Sequence, residues 1–248
     1  MHYTSDDNPA GHYAAFETST ALRRVGEQLV WEVEQGNWRQ HDALIAVIEH
    51  FDRESAKAYV MDGIHAMGIT GSAEHFVQST LNTLSLTITK LSKQIVPKLD
   101  RKQMELAATH VRSLSITLPD GNGGFRTMTG FRVPDSVNAR REQIVARIRA
   151  GHWQAERKQV SQLLSDLGDL MLEEIYLKSI RLMGFGFLTE KVIQGGAAVG
   201  RGLQHQLINW AVGHLQEPEF KTLADYTEHL HLHLPEPLPH TFLYYVRE

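Results

Sequence analysis

The sequence predicts a mainly helical α+β protein. It reads as a tandem duplication of one unit, about four helices followed by a β-hairpin, with the two copies related by a pseudo-two-fold axis. Three observations carry this. Short stretches recur at a fixed offset: Glu27-Gln28-Leu29-Val30 and Gly36-Asn37-Trp38 return 115 residues later as Glu142-Gln143-Ile144-Val145 and Gly151-His152-Trp153. Further on, Ile64-His65-Ala66-Met67-Gly68 and Glu74-His75-Phe76-Val77-Gln78 return 116 residues later as Ile180-Arg181-Leu182-Met183-Gly184 and Glu190-Lys191-Val192-Ile193-Gln194. One insertion therefore falls between Trp38 and Leu44. The apolar residues of each half follow helical spacing, and near the end of each half the spacing switches to two.

The boundaries that follow are 1–20 for an N-terminal arm and helix start, 21–133 for the first repeat and 138–248 for the second, sharing one core. Residues 1–13 carry Asp6-Asp7-Asn8-Pro9 and Gly11 and read as a loose arm. From Ala14, the spacing of Leu22, Val25, Leu29, Val30 and Val33 predicts a helix over 14–34, stopped by Gly36. Residues 41–67 read as a second helical region, with Leu44, Val47, Ile48 and Phe51 on its stripe. Ser72 and Glu74 open a third helix, a carboxylate in the first turn favouring the helix dipole. Thr80, Thr83, Thr87 and Thr89 lower its propensity, yet the matching stretch 195–215 has no β bias and supports helix. Pro97 ends it, and 100–112 is the fourth. Leu114, Ile116 and Leu118 then alternate with Ser113, Ser115 and Thr117 as a half-buried strand. The turn chemistry of 119–124 leads to a returning strand over 125–133.

The second copy repeats the order: helices over 136–150, 154–183, a stretch from Glu190, and 220–228. Leu230, Leu232 and Leu234 alternate 116 residues after Leu114, Ile116 and Leu118, and 241–246 reads as the returning strand. An isolated hairpin is only marginally stable, so the two hairpins are expected to join in one small antiparallel sheet.

The totals exclude several classes. Net charge is -4, which argues against a protein that coats nucleic acid along its whole surface. There are no cysteines, so disulfides, thiolate zinc sites and cysteine nucleophiles are ruled out. Residues 1–11 lack a basic-then-apolar leader pattern. The most apolar run, 185–203, is broken by Glu190, Lys191 and Arg201, so no membrane span is expected. A cytoplasmic location is the plain expectation.

Two constellations point to function. The span 112–158 holds nine basic residues against four acidic ones in a chain that is acidic as a whole. Arg126, Arg132, Arg140, Arg141, Arg147, Arg149, Arg157 and Lys158 could follow a phosphate backbone, or pair with acids on a solvated helix face. The other constellation is His229-x-His231-x-His233. On a strand these imidazoles share a face, and with His240 from the returning strand they could hold zinc or another divalent metal. Across the duplication no histidine meets a histidine, so such chemistry belongs to one half.

Two further patterns are weighed and set aside. His41-Asp42 has the form of the dipeptide of helical metal-dependent phosphohydrolases, but it opens a helix, and Glu156-Arg157 replaces it in the second half. The glycine run 195–202 lacks the Lys-Ser/Thr and the preceding strand of a phosphate loop. Its small residues suit close helix packing. The expectation is a non-enzymatic binding or assembly protein without a cofactor, contacting nucleic acid, a nucleoprotein complex or a protein partner, with homo-oligomerisation open. The alternative is a metal-dependent hydrolase centred on the histidine strand.

Overall fold

A four-stranded antiparallel sheet ordered β2-β3-β1-β4 lies against a mostly helical body. The computed structural model describes residues 8–184 and 187–238. The strands are β1 (Gly11–Glu17), β2 (Ser115–Pro119), β3 (Phe125–Val133) and β4 (His231–Leu234). The helices are α1 (Thr20–Glu34), α2 (His41–Ala56), α3 (Asp62–Ala66), α4 (Ser72–Ile95), α5 (Arg101–Ser113), α6 (Asp135–Arg149), α7 (Trp153–Met171), α8 (Lys178–Met183), α9 (Phe187–His214) and α10 (Glu217–His229).

The N-terminal expectation is corrected. Residues 11–17 are not an arm leading into a helix. They form β1, a central strand, and the first helix begins at Thr20. Both edges of β1 are paired, with Ala15 opposite Gly130 on one side and Tyr13 opposite Leu232 on the other. Both faces are apolar too. Tyr13 and Ala15 pack with Ile116, Leu118 and Leu234, while Phe16 packs into the helical core with Phe131 and Val133. A strand covered on both faces carries a continuous apolar run rather than a clean alternation, which disguises it.

The expected hairpin over 114–133 is present as β2 and β3. The sheet is joined differently from the expectation: β4 pairs with β1, which lies between β4 and β3. The expected returning strand 241–246 lies outside the described residues.

Helix ends follow local chemistry. The Ser19 hydroxyl accepts from the Leu22 N–H, and Asp100 with Gln103, like Gln216 with Glu219, forms a reciprocal capping box. Gly36 and Gly151 adopt φ of 86° and 89° after α1 and α6, a left-handed stop that costs an L side chain strain. The threonines of α4 are accommodated because Thr80, Thr83 and Thr87 donate to carbonyls one turn back, at Phe76, Ser79 and Thr83. The two long helical stretches expected over 41–67 and 154–183 are each interrupted by a π-turn, at Lys57–Met61 and Leu172–Leu177.

Helices α4 and α9 cross closely. A Cβ on Gly196 would lie 2.7 Å from Leu91 Cδ1, and one on Gly200 would lie 3.7 Å from Leu84 Cδ2. The glycine run is thus helix-packing surface, as its spacing predicted. Apolar stripes of α1, α2 and α5 make one core with the sheet, and those of α6, α7 and α10 make a second with the end of α9.

Candidate functional site: an apolar interior cavity

The apolar stripes do not close completely. Between the sheet, the α4–α9 pair and the surrounding helices lies a cavity of about 510 Å³. Its walls come from both halves of the chain, with Phe51, Leu84, Phe131, Leu167, Ile193 and Leu207 among them. Pockets that enclose a small organic ligand span roughly 300–1,000 Å³ and are mostly apolar with a few placed polar groups. This cavity has both properties.

The carboxylate and guanidinium side chains on its wall are Arg23, Glu27, Asp52 and Arg141, of which the last two are deeply set. Asp52 of α2 is 8% exposed and accepts a hydrogen bond from the Ser85 hydroxyl of α4. Burial pushes its carboxyl above the usual range, against the pull of Ser85 and Arg53. Tyr176, half-buried on the same wall, is raised by burial and then by the charge of Asp52. Arg141 of α6 is also 8% exposed. Its Nε donates to Asn138 Oδ1 at 3.1 Å, its Nη2 stands 3.7 Å from Glu142, and its Nη1 is sealed from solvent with no acceptor among the described residues.

The π-turns also face this interior. A π-turn displaces carbonyls from the regular helical ladder, and buried carbonyls need donors. His110 of α5 donates from Nε2 to Ile175 O at 2.8 Å, and the Tyr226 hydroxyl of α10 donates to Ala58 O. Each π-turn is therefore tied by a side chain from the opposite half.

The histidine strand is not assembled as expected. His229 ends α10 instead of sharing the β4 face, and His240 lies outside the described residues. His231 and His233 do share a face, and His12 of β1 joins them. Its ring stacks on theirs at 5.0 and 4.7 Å, and its Nδ1 shares a 2.9 Å hydrogen bond with His231 Nε2. Stacked rings bonded to each other do not aim lone pairs at a common point. Among the described residues no group of three His, Asp or Glu side chains could hold a metal ion.

The basic residues are dispersed. Arg140 pairs with Asp166, Arg147 with Glu156, and Arg149 with Asp225 and Glu228. Arg157 donates to the carbonyls of Val212, Gly213 and Leu215 at the end of α9 and stacks over Trp153 and Phe220. Arg126 and Arg132 are exposed on β3, Lys158 is exposed on α7, and Arg141 faces inward. Arg149 tops the outer end of α6.

No family model, curated protein or solved structure matches the chain. Function is read from the site alone. Reading the sequence missed the cavity, Asp52, the inward turn of Arg141 and the contribution of His12. No helix among the described residues is long and apolar enough to cross a membrane.

Two histidines make a stability claim. Burial, reinforced by Arg141 and His12 and opposed by Glu142, pushes His231 down to about 4. Burial, reinforced by Lys178 and opposed by the Ile175 carbonyl bond, also lowers His110. A histidine whose folded pKa is depressed gives its full stabilising contribution above the unfolded value near 6.5, and that contribution is lost as pH falls towards the folded value. Going from pH 7 to pH 5 is expected to lower unfolding free energy by about 1 kcal/mol for the partly exposed His231, after discounting for solvent screening. Urea unfolding at the two pH values checks this, and His231→Gln should flatten the slope.

Proposed function

We propose that this chain is a non-enzymatic binding protein that encloses an apolar small molecule. The observation that carries the reading is the 510 Å³ apolar cavity. An apolar guest seated there removes its own surface and that of the apolar wall from water, at about 25 cal/mol per Å² buried. Engineered apolar cavities of roughly 150 Å³ already bind benzene.

The test is a titration with N-phenyl-1-naphthylamine, a neutral dye that brightens in apolar surroundings. One saturable site per chain is expected. Ala197→Phe, which places a ring into the cavity from α9, should keep the fold and weaken binding at least tenfold. No saturable brightening, or binding untouched by Ala197→Phe, would overturn the reading.

We further infer that the site is shared by two copies of one ancestral unit. Several matches support this. Helices α1 and α6 begin and end 115 residues apart, and α5 and α10 do so 116 residues apart. The capping boxes match, as do the left-handed Gly36 and Gly151 and the interior ties made by His110 and Tyr226. Trp38 packs on the first core under Arg39, and Trp153 on the second under Arg157.

A nucleic-acid contact is the second reading, favoured by the exposure of Arg126 and Arg132 on one face of β3. Binding of labelled single-stranded DNA that falls steeply with salt and disappears in Arg126→Glu/Arg132→Glu tests it.

A further inference from the structure

The cavity wall holds two guanidinium groups: Arg23, matched by Glu27 one turn on at 3.9 Å, and Arg141, whose environment is anomalous. A guanidinium carries five N–H donors in a fixed fork and stays charged. Buried cations are ordinarily paired, because removing such a charge from water without a partner costs several kcal/mol. Arg141 is 8% exposed, yet its provision is poor. Asn138 takes the Nε proton at 3.1 Å. The nearest carboxylate, Glu142, stands at 3.7 Å, is itself 59% exposed, and already accepts from Asn138 Nδ2 at 2.9 Å. The Nη1 edge meets no acceptor among the described residues. The same residue lines the apolar cavity.

We propose that Arg141 anchors the ligand's headgroup, so that the cavity takes an apolar chain or ring system ending in a carboxylate. This rests on the cavity being a binding site and adds the chemical class of what it holds. A planar carboxylate matches the open edge of a guanidinium and supplies the acceptor that Nη1 lacks. Burial draws the guanidinium down from its ordinary range, and an anion brought alongside reverses that. His231, which also lines the cavity and is held neutral by burial and by Arg141, does not compete for the anion as a second fixed cation.

The site is single-headed. Gly26 stands 115 residues before Arg141 and offers no side chain. Of the other charged side chains on the wall, Arg23 is matched by Glu27 and Asp52 accepts from Ser85. One acid per chain, in one orientation, follows.

The experiment compares three probes with the same alkyl chain, dodecanoic acid, dodecanol and dodecylamine, as competitors of N-phenyl-1-naphthylamine on the full chain. An ionised acid gives up more hydration on burial than the alcohol, so without a fixed cation the alcohol wins. The expected result is that the acid displaces the dye at least tenfold better than the alcohol or the amine. In Arg141→Met, dye binding persists and the preference for the acid disappears. Arg141→Lys keeps the charge without the fork and retains part of the preference. Should either variant fail to fold, the order of the three competitors on the unaltered protein decides alone. Equal displacement, or an order led by the alcohol or amine, overturns the role of Arg141 while leaving the cavity reading standing. A dye that never binds overturns both.

Discussion

Gly130→Val is expected to leave the protein unfolded under conditions where the parent chain is folded, a loss of more than about 4 kcal/mol. Gly130 sits opposite Ala15 at the centre of the β1–β3 ladder. A Cβ there would lie 2.5 Å from the Ala14 carbonyl oxygen, 2.6 Å from Ala15 Cβ and 2.8 Å from Ala15 Cα. Overpacking a core with a flexible neighbour typically costs about 1–3 kcal/mol because side chains give way. Here the obstacle is main chain in a strand paired on both edges, and yielding would break the ladder on which β4 depends. Gly200→Ala is the control. Its Cβ would meet Leu84 at an ordinary 3.7 Å, and helix propensity gains up to about 1 kcal/mol. Urea titrations followed by circular dichroism measure both, and a Gly130→Val midpoint equal to the parent's would contradict the register.

Arg147→Ala is expected to cost about 3–5 kcal/mol, because it strips the counter-ion from a buried carboxylate. Glu156 of α7 is 1% exposed. Arg147 Nε of α6 lies 2.8 Å from its Oε1, close enough for an ion pair although off the hydrogen-bond direction, and neither carboxylate oxygen has a hydrogen-bond partner among the described residues. Arg147 itself is 55% exposed and returns to water when Glu156 is removed instead. The two single changes are therefore unequal: Glu156→Leu is expected to be milder. The double change Arg147→Ala/Glu156→Leu is expected to recover most of what Arg147→Ala loses. Denaturant midpoints for the three variants read this directly, and equal losses for both single changes would refute the argument.

These two sites show why the sequence is legible in some places and silent in others. Helix ranges emerge from spacing because a helix that buries one face must repeat its apolar residues at 3.6. Thus α1 follows the stripe of Leu22, Leu29 and Val33, and α4, α5 and α6 lie close to the ranges expected from Ser72, Pro97 and the repeat. The strand β1 is silent because both its faces are covered, so Tyr13, Ala15 and Phe16 show no alternation. One signal was available. Phe131 of β3 stands 115 residues after Phe16, and carrying the repeat upstream of residue 21 would have pointed to a strand. His229 misleads for a related reason. Alternation through Leu230 and Leu232 runs on from the helix end, where the Leu230 N–H still bonds to Tyr226 O.

The cavity had no signal at all. An apolar stripe reads the same whether it meets a neighbouring side chain or faces a void, since periodicity records which face is inward and not how well it is filled. The basic run 112–158 shows the same blindness to context. Arg140, Arg147, Arg149 and Arg157 are tied to acids or carbonyls drawn from distant elements, and Arg141 is turned to the interior. Local charge density cannot distinguish these from a free surface.

The most direct test of whether the interior is a receptive cavity uses xenon, which enters dry apolar voids without needing any headgroup. Xenon NMR of the protein at rising gas pressure is predicted to show a saturable shift well beyond that of the urea-unfolded chain, and Ala197→Phe is predicted to abolish most of it. A shift no larger than the unfolded chain's, indifferent to Ala197→Phe, would contradict the account.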